Sequence, residues 1–142
     1  MADVFDEDYV PVAGSNPPQF MTRLVEFTDR HLPAIQEPIL EEFPEVGGAC
    51  VADRNGYRPT MNLAFSQPQR ADAAWNAKHA RARGFAKDEA GLAASRNTDP
   101  YLLQAYRRTA NGRLELCKDV SAPIFVRGRH WGGFRTVYSA GG

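Results

Sequence analysis

Residues 101–139 read YLLQAYRRTANGRLELCKDVSAPIFVRGRHWGGFRTVYS. This stretch predicts three consecutive antiparallel strands, over residues 101–109, 113 to about 125, and 131–139. Asn111 and Gly112 supply the pair that tolerates the left-handed backbone of a tight hairpin turn, and residues 127–130 turn the chain again. Three paired strands at the end of so short a chain predict the core sheet. The arrangement favours a sensor or ligand-binding domain over an enzyme.

The size and charge of the chain limit its class. Its 142 residues suit one domain with a core that needs no disulfides. The 17 basic and 17 acidic residues give a formal net charge of zero, so no long-range field gathers nucleic acid or an anionic membrane. No apolar run approaches the roughly 20 residues that span a bilayer, and the acidic N-terminus is unlike a signal peptide. Two cysteines, Cys50 and Cys117, indicate free thiols in a reducing cytoplasm.

The N-terminal part divides into a tether and a helix. Residues 1–16 are acidic and lack periodicity, which predicts a linker, with a single domain over residues 17–142. Apolar residues then recur at helical spacing, and Pro33 predicts a break near Leu32 and a second short helix that ends near residues 43–44. The stripe consists of Phe20, Leu24, Phe27, His31, Ile35 and Ile39.

The middle of the chain predicts a hairpin and a helical excursion. Residues 46–53 predict a strand, residues 53–56 a turn, and residues 57–62 the return strand. Pro59 cannot donate to a ladder, which places that return strand at a sheet edge. Residues 71–83 predict a helix with Asp72 as its N-cap, and residues 84–100 are expected to be mostly irregular.

Together these elements predict an α+β fold with a PAS-like or single-Cache-like architecture. It has a five-stranded antiparallel sheet in the order 2-1-5-4-3, a long N-terminal helix, and a helical excursion between strands 2 and 3. The excursion covers one face of the sheet, and the helix or a partner chain covers the other.

Catalytic chemistry finds little support in the residues. The serines lie in no elbow motif, neither cysteine has a histidine near it in sequence, and no spacing of histidine and cysteine indicates zinc. The three histidines fall in three different elements. We therefore predict that the chain is not an enzyme. An enzyme would need a histidine to meet an acidic residue or Cys117 in space.

A ligand pocket is expected between the sheet and the excursion. Trp75 and His79 are four residues apart on one helix face, and Met61 closes the adjacent edge strand. Imidazole and thioether are both haem ligands, so His79 and Met61 are candidates to hold haem. In the alternative interpretation His79 is an exposed helix residue and Met61 fills the core. Further candidates for the pocket lining are Trp75, Tyr57, Tyr101 and Lys118, although strand alternation leaves the face of Lys118 open.

Several segments resemble one family. They are DRNGYxPTxN at 53–62, FSQP at 65–68, RNT at 96–98, LLQxYRR at 102–108, KDxSAPI at 118–124 and VRGRHWGG at 126–133. Together they resemble the C-terminal cytoplasmic domain that follows the signalling hairpin in many proteobacterial methyl-accepting chemotaxis proteins, and the match covers nearly the whole chain. In that family the position of Met61 is commonly histidine and that of His79 commonly cysteine. Both positions here exchange one potential metal ligand for another.

The resemblance implies a sensory module of a chemoreceptor, with the receptor's signalling domain in the same chain, located in the cytoplasm and dimeric like the receptor. We expect a small ligand or cofactor between the sheet and residues 71–91, with signalling through the helix over residues 18–43. The alternative is a structural dimerisation module without a ligand, in which the apolar stripe forms a helix–helix seam.

Overall fold

The computed structural model describes residues 2–110 and 112–139, which form an α+β fold with one main sheet and two small ribbons. Short 3₁₀ turns occupy Ala2–Phe5 and Leu63–Phe65. The strands are β1 (Val10–Pro11), β2 (Phe20–Met21), β3 (Val46–Asp53), β4 (Tyr57–Arg58), β5 (Gly84–Phe85), β6 (Leu102–Ala110), β7 (Arg113–Val126) and β8 (Arg129–Ser139). The helices are α1 (Val25–His31), α2 (Pro33–Glu42), α3 (Ala73–His79) and α4 (Glu89–Arg96).

The three C-terminal strands are confirmed as β6, β7 and β8, which pair in sequence. Gly112 has the positive φ, +74°, that the first turn requires, while Asn111 lies outside the described residues. The second turn places Arg127 (φ 51°) and Gly128 (φ 79°) between the paired residues Val126 and Arg129. Two successive left-handed residues match the right-handed twist of the strands they join.

The prediction of a five-stranded PAS-like or single-Cache-like sheet in the order 2-1-5-4-3 is wrong. The main sheet has four strands in the order β3-β8-β7-β6. The predicted return strand over residues 57–62 is a strand only at Tyr57–Arg58, and it pairs with β5 instead of β3.

The turn after β3 explains why the return strand leaves the sheet. The Asp53 carboxylate accepts hydrogen bonds from the backbone N–H groups of Asn55 and Tyr57, and Gly56 takes φ +84°. This Asx turn directs the chain away from the β3 ladder. Pro59, one residue after β4, has no N–H to continue a ladder.

The predicted break between the two N-terminal helices is confirmed, because α1 ends at His31 and α2 begins at Pro33. The first helix begins only at Val25, since Phe20 and Met21 belong to β2. Three of the six residues of the apolar stripe are exposed, namely His31, Phe27 (55%) and Ile35 (56%), whereas Leu24 is buried in the core. The buried residues of α1 and α2 are Val25, Thr28 and Gln36.

The excursion contains two helices where one was predicted. Asp72 caps α3 as predicted, accepting hydrogen bonds from the N–H groups of Ala74 and Trp75. The prediction of irregular structure over residues 84–100 is wrong, because α4 occupies Glu89–Arg96. Its buried face consists of small residues, Ala90, Gly91, Ala94 and Ser95.

A close approach of α4 to β8 depends on glycine. A Cβ on Gly133 would lie 2.6 Å from the carbonyl oxygen of Ala94, too close for any side chain. Small residues on both elements therefore allow the helix to lie directly on the sheet.

The hydrophobic core lies on the other face of the sheet, under α1 and α2. Leu24, Val51 and Trp131 are its buried centre, with N-terminal residues packed against them. The Trp131 indole donates to the carbonyl oxygen of Val4 at 2.6 Å, and Tyr9 donates to the Asp53 carboxylate. Residues 4–9 thus contact the domain; the assignment of residues 1–16 as a linker stays a prediction. Within the described ranges, no helix is long and apolar enough to cross a membrane.

Candidate functional site

A cavity of about 600 Å³ lies between the main sheet and the segment from β4 to the start of α4. The wall that the sheet contributes includes Gly48, Cys50, Tyr106, Arg108, Arg135 and Val137. The opposite wall consists of Arg58, Met61, Phe65, Arg81, Ala86 and Asp88. We call this space the arginine cavity.

Strand alternation gives the sheet wall a polar network. Register pairs Gln104 with Asp119, and Arg135 with Ser121 and Cys50, so their side chains share one face. Arg135 donates to the Asp119 carboxylate through Nε (2.8 Å), with a second nitrogen 2.6 Å from the same oxygen. Arg135 also donates to the Tyr106 hydroxyl at 3.0 Å, and Gln104 donates to Asp119 at 3.2 Å.

The Arg135–Asp119 pair is electrically balanced. Asp119 is fully buried, and its partner is mostly buried. Burial alone would lower the pKa of Arg135, but the Asp119 carboxylate raises it above its usual value. A buried pair of this kind fixes geometry more than it adds net stability. Its role here is to hold Tyr106 and the Arg135 side chain in place on the cavity wall.

Arg58 and Arg81 differ, because neither guanidinium has a hydrogen bond or ion pair with another described residue. The Nε atom of each is buried and without a partner. The Arg81 guanidinium lies over the ring of Phe65, 4.5 Å from its centroid. Burial lowers the pKa of both guanidiniums. The charge of Arg135 lowers the pKa of Arg58 further, whereas Cys50 and the Asp88 carboxylate act in the opposite direction, and the charge of Arg58 lowers the pKa of Arg81.

Other arginines of the chain show what is missing here. Arg83 pairs with Asp29 at 2.6 Å, Arg54 with Glu7 at 2.7 Å, and Arg108 with Glu115 at 3.0 Å. These partly exposed arginines have carboxylate partners. Arg58 and Arg81 are half-buried, and the buried Nε atom of each lacks the partner that a buried polar group needs.

Arg58 and Arg81 also face a second cavity. This space, of about 450 Å³, is bounded by Pro17, Phe20, Ala77, Phe85 and Lys87 among others. The two guanidiniums therefore stand between an outer cavity and the arginine cavity.

Arg58 and Met61 belong to a segment that is bound to the N-terminal helices. The side chains that form these bonds are Thr60 and Asn62. The Thr60 hydroxyl lies 2.9 Å from the Thr28 hydroxyl and 2.6 Å from the Asp29 carboxylate, both on α1. Asn62 accepts from the N–H of Ala49 in β3 at 2.8 Å. It also donates to the Glu37 carboxylate in α2 at 2.9 Å.

Met61 is the one residue among the six predicted site residues that lines the arginine cavity. Tyr57 is buried, but its ring contacts those of Tyr9 and Phe85, and its hydroxyl donates to the carbonyl oxygen of Phe20 at 2.6 Å. Trp75 and His79 stack on each other with centroids 4.7 Å apart, and Arg70 covers the Trp75 ring at 3.8 Å.

The remaining two predicted residues lie elsewhere. Tyr101 is 69% exposed, immediately before β6. Lys118 alternates with the buried Cys117 and Asp119 along β7, so it belongs to the opposite face of the sheet. The structure thus does not bring the six residues together at one site.

Sequence reasoning missed Arg58, Arg81, Tyr106, Asp119 and Arg135. The pattern that could have found part of this group is the alternation in β7, where Cys117, Asp119 and Ser121 are buried between exposed or half-buried neighbours. Small polar residues at every second position predict a polar interior face. Arg58 and Arg81 carry no comparable pattern, since they lie in short, irregular segments.

Comparison with protein-family models, curated proteins and solved structures finds no match to the chain. Among the described residues, no group of three or more histidine, cysteine, aspartate or glutamate side chains is arranged to hold a metal ion.

Proposed function

We propose that the chain is a sensory domain of a chemoreceptor, which binds a small molecule in the arginine cavity. The observation that carries this proposal is the cavity itself. Its two walls come from different parts of the chain, and its volume of about 600 Å³ is within the range of small-molecule sites. The segment resemblance to the chemotaxis receptor domain supports the receptor context, with the signalling domain in the same chain.

The connection from the cavity to the helices supports a sensory role. Arg58 and Met61 contribute to the cavity wall, whereas Thr60 and Asn62 hold α1 and α2. A ligand that draws the 58–62 segment toward the sheet therefore acts on both helices. A ligand shifts a conformational equilibrium only by its difference in affinity for the two states. The 58–62 segment can produce this difference in affinity between two states, because it contributes both to the ligand site and to the contacts with the helices.

The test is a thermal-shift screen against neutral, cationic and anionic metabolites, with native mass spectrometry of the freshly purified protein. Val137→Phe narrows the cavity at the sheet wall, and Thr136→Phe is the matched control on the opposite face of the same strand. We expect at least one compound to raise the Tm of the wild type and of Thr136→Phe, but not that of Val137→Phe. The same shift in all three proteins would contradict the proposal.

Haem held by Met61 and His79 stays a prediction. Met61 lies on the cavity wall, but His79 packs on Trp75 and does not line this cavity. The absorption spectrum of protein purified from haem-competent cells decides the question. A Soret band lost in His79→Ala would support haem, and a colourless protein that resists reconstitution would reject it.

A second candidate function is a dimerisation module, favoured by the exposed apolar stripe on α1 and α2. Phe27 and His31 on α1 stack with ring centroids 4.6 Å apart, and the exposed Ile35 lies on α2. Sedimentation equilibrium of Phe27→Asp tests it, with Val10→Asp as a control at another exposed apolar residue. This alternative would be favoured if the wild type is a dimer that binds no compound in the screen, and if Phe27→Asp, but not Val10→Asp, makes the dimer dissociate.

A further inference from the structure

The interior of the arginine cavity has a charge that the protein does not balance. Arg135 is neutralised by Asp119, and Arg108 by Glu115. Arg58 and Arg81 have buried Nε atoms with no partner in the described part of the chain.

The other charged residues that line the cavity lie at its exposed margin. They are Glu45, Asp88 and Arg107, all accessible to water. Solvent screens charges in such positions. Asp88 acts on Arg58 from this exposed position, but the Nε atoms of Arg58 and Arg81 are still buried without a hydrogen-bond partner.

We propose that the ligand is a small organic dianion whose negative groups pair with Arg58 and Arg81. This inference rests on the proposed sensory function and specifies its ligand. A guanidinium presents donors in a planar fork that fits carboxylate and phosphate oxygens. The Arg81 guanidinium lies over the ring of Phe65, which helps to hold it in place on the cavity wall. Met61 and Val137 supply apolar surface for the carbon skeleton.

Two negative groups match the two guanidiniums, neither of which forms an ion pair with a described residue. A monoanion would leave one of them without compensation, and a neutral ligand would leave both. A cationic ligand would meet repulsion from both. The outer cavity, where Lys87 adds a third positive charge, reaches the same two arginines and offers a route of entry for an anion.

Calorimetric titration tests the ligand class with four probes: succinate, glycerol 3-phosphate, butyrate and 1,4-butanediol. We expect at least one dianion to bind at millimolar concentration or below, and butyrate and butanediol to bind on the order of tenfold more weakly or not at all. Binding of succinate alone would indicate that the ligand is a dicarboxylate. Binding of glycerol 3-phosphate alone would indicate a phosphate ester. Absence of binding by both dianions, or equal binding of butanediol, would overturn the proposal.

Arg58→Gln and Arg81→Gln test the residues, with the exposed Arg113→Gln as the matched control. Each cavity substitution should weaken dianion binding by about tenfold or more, since a charge-assisted pair is lost. Without ligand, each should keep or raise the Tm, because a buried unpaired charge is removed. A double variant that keeps its affinity, or a Tm that falls in both cavity variants but not in Arg113→Gln, would contradict the assignment.

The two proposals fail differently. If a neutral or cationic compound binds and Val137→Phe abolishes its binding, the sensory function stands and the anion assignment fails. If no compound of any charge binds in the cavity, the sensory function fails as well.

Discussion

Asn62 joins three parts of the molecule through one side chain. It is fully buried, and it links β3, α2 and the end of the segment that carries Met61. A buried amide in this position must satisfy each of its groups, because an unpaired buried donor or acceptor is costly. Asn62 is thus a structural support for the cavity wall.

Asn62→Ala should lower the free energy of unfolding by about 2 kcal/mol, since the Ala49 N–H loses its partner and the Glu37 carboxylate keeps only the Leu63 N–H. Urea denaturation followed by circular dichroism measures this loss. Gln67→Ala, at an exposed position in the same loop region, is the control and should change stability little. An equal loss in both variants would mean that Asn62 has no special role.

The Cys50 thiol lies on the wall of the arginine cavity. Burial raises its pKa, while the charges of Arg58 and Arg135 act in the opposite direction. Burial also raises the pKa of Cys117. A raised thiol pKa means that the folded protein holds less thiolate at neutral pH than the unfolded chain.

We therefore expect both cysteines to react with iodoacetamide several-fold more slowly in the folded protein than in guanidinium chloride. Cys50→Ala and Cys117→Ala report the two thiols separately. Mass spectrometry follows the alkylation over time. If the Cys117→Ala variant reacts at the rate of the unfolded chain, then the Cys50 thiol is neither shielded nor held protonated.

At the scale of elements, α4 depends on a close contact with the sheet. Gly133→Ala would place a Cβ 2.6 Å from the Ala94 carbonyl oxygen, so α4 must move away from β8. We expect a loss of about 1–3 kcal/mol, the usual range for overpacking. Gly47→Ala is the control, because its Cβ would meet only an ordinary contact at 3.7 Å. Thermal denaturation of the two variants compares them.

Elements with their own local pattern were predictable from sequence, and those defined by tertiary contacts were not. Strands β6 to β8 and the break at Pro33 follow from alternation and from proline geometry. Helix α4 escaped prediction because its buried face is made of small residues, which give no apolar stripe. The fifth strand was wrongly predicted because an Asx turn at Asp53 redirects the chain, which composition does not reveal.

The candidate site was less predictable than the fold. Met61 was identified from its place after the edge segment, and it lines the arginine cavity. Arg58 and Arg81 were not identified, since a charged residue in an irregular segment usually faces water. Their importance comes from Nε atoms that are buried without a partner, which only the packed structure shows.

At the scale of the whole molecule, the sheet separates two layers. The polar cavity lies on one face, and α1, α2 and the apolar core lie on the other. The 58–62 segment joins the layers, because it contributes Arg58 and Met61 to the cavity and Thr60 and Asn62 to the helices.

This arrangement predicts that ligand binding changes the helices and not only the cavity. In hydrogen–deuterium exchange, a bound dianion should slow exchange in residues 58–62 and in α1 and α2. Exchange in the turn between β7 and β8, residues 126–129, should stay the same, because none of these residues lines the arginine cavity or the outer cavity. If only the cavity walls were protected from exchange, the effect of binding would not reach α1 and α2.

The central claim is that the arginine cavity binds a small dianion, and amide NMR shifts test it most directly. In a titration with succinate or glycerol 3-phosphate, we predict saturable shifts at Gly48, Met61 and Phe65, which line the cavity. Leu114 and Leu116, exposed on the opposite face of the sheet, should not move. Shifts confined to that opposite face, or no saturable shift in the cavity residues, would contradict the account.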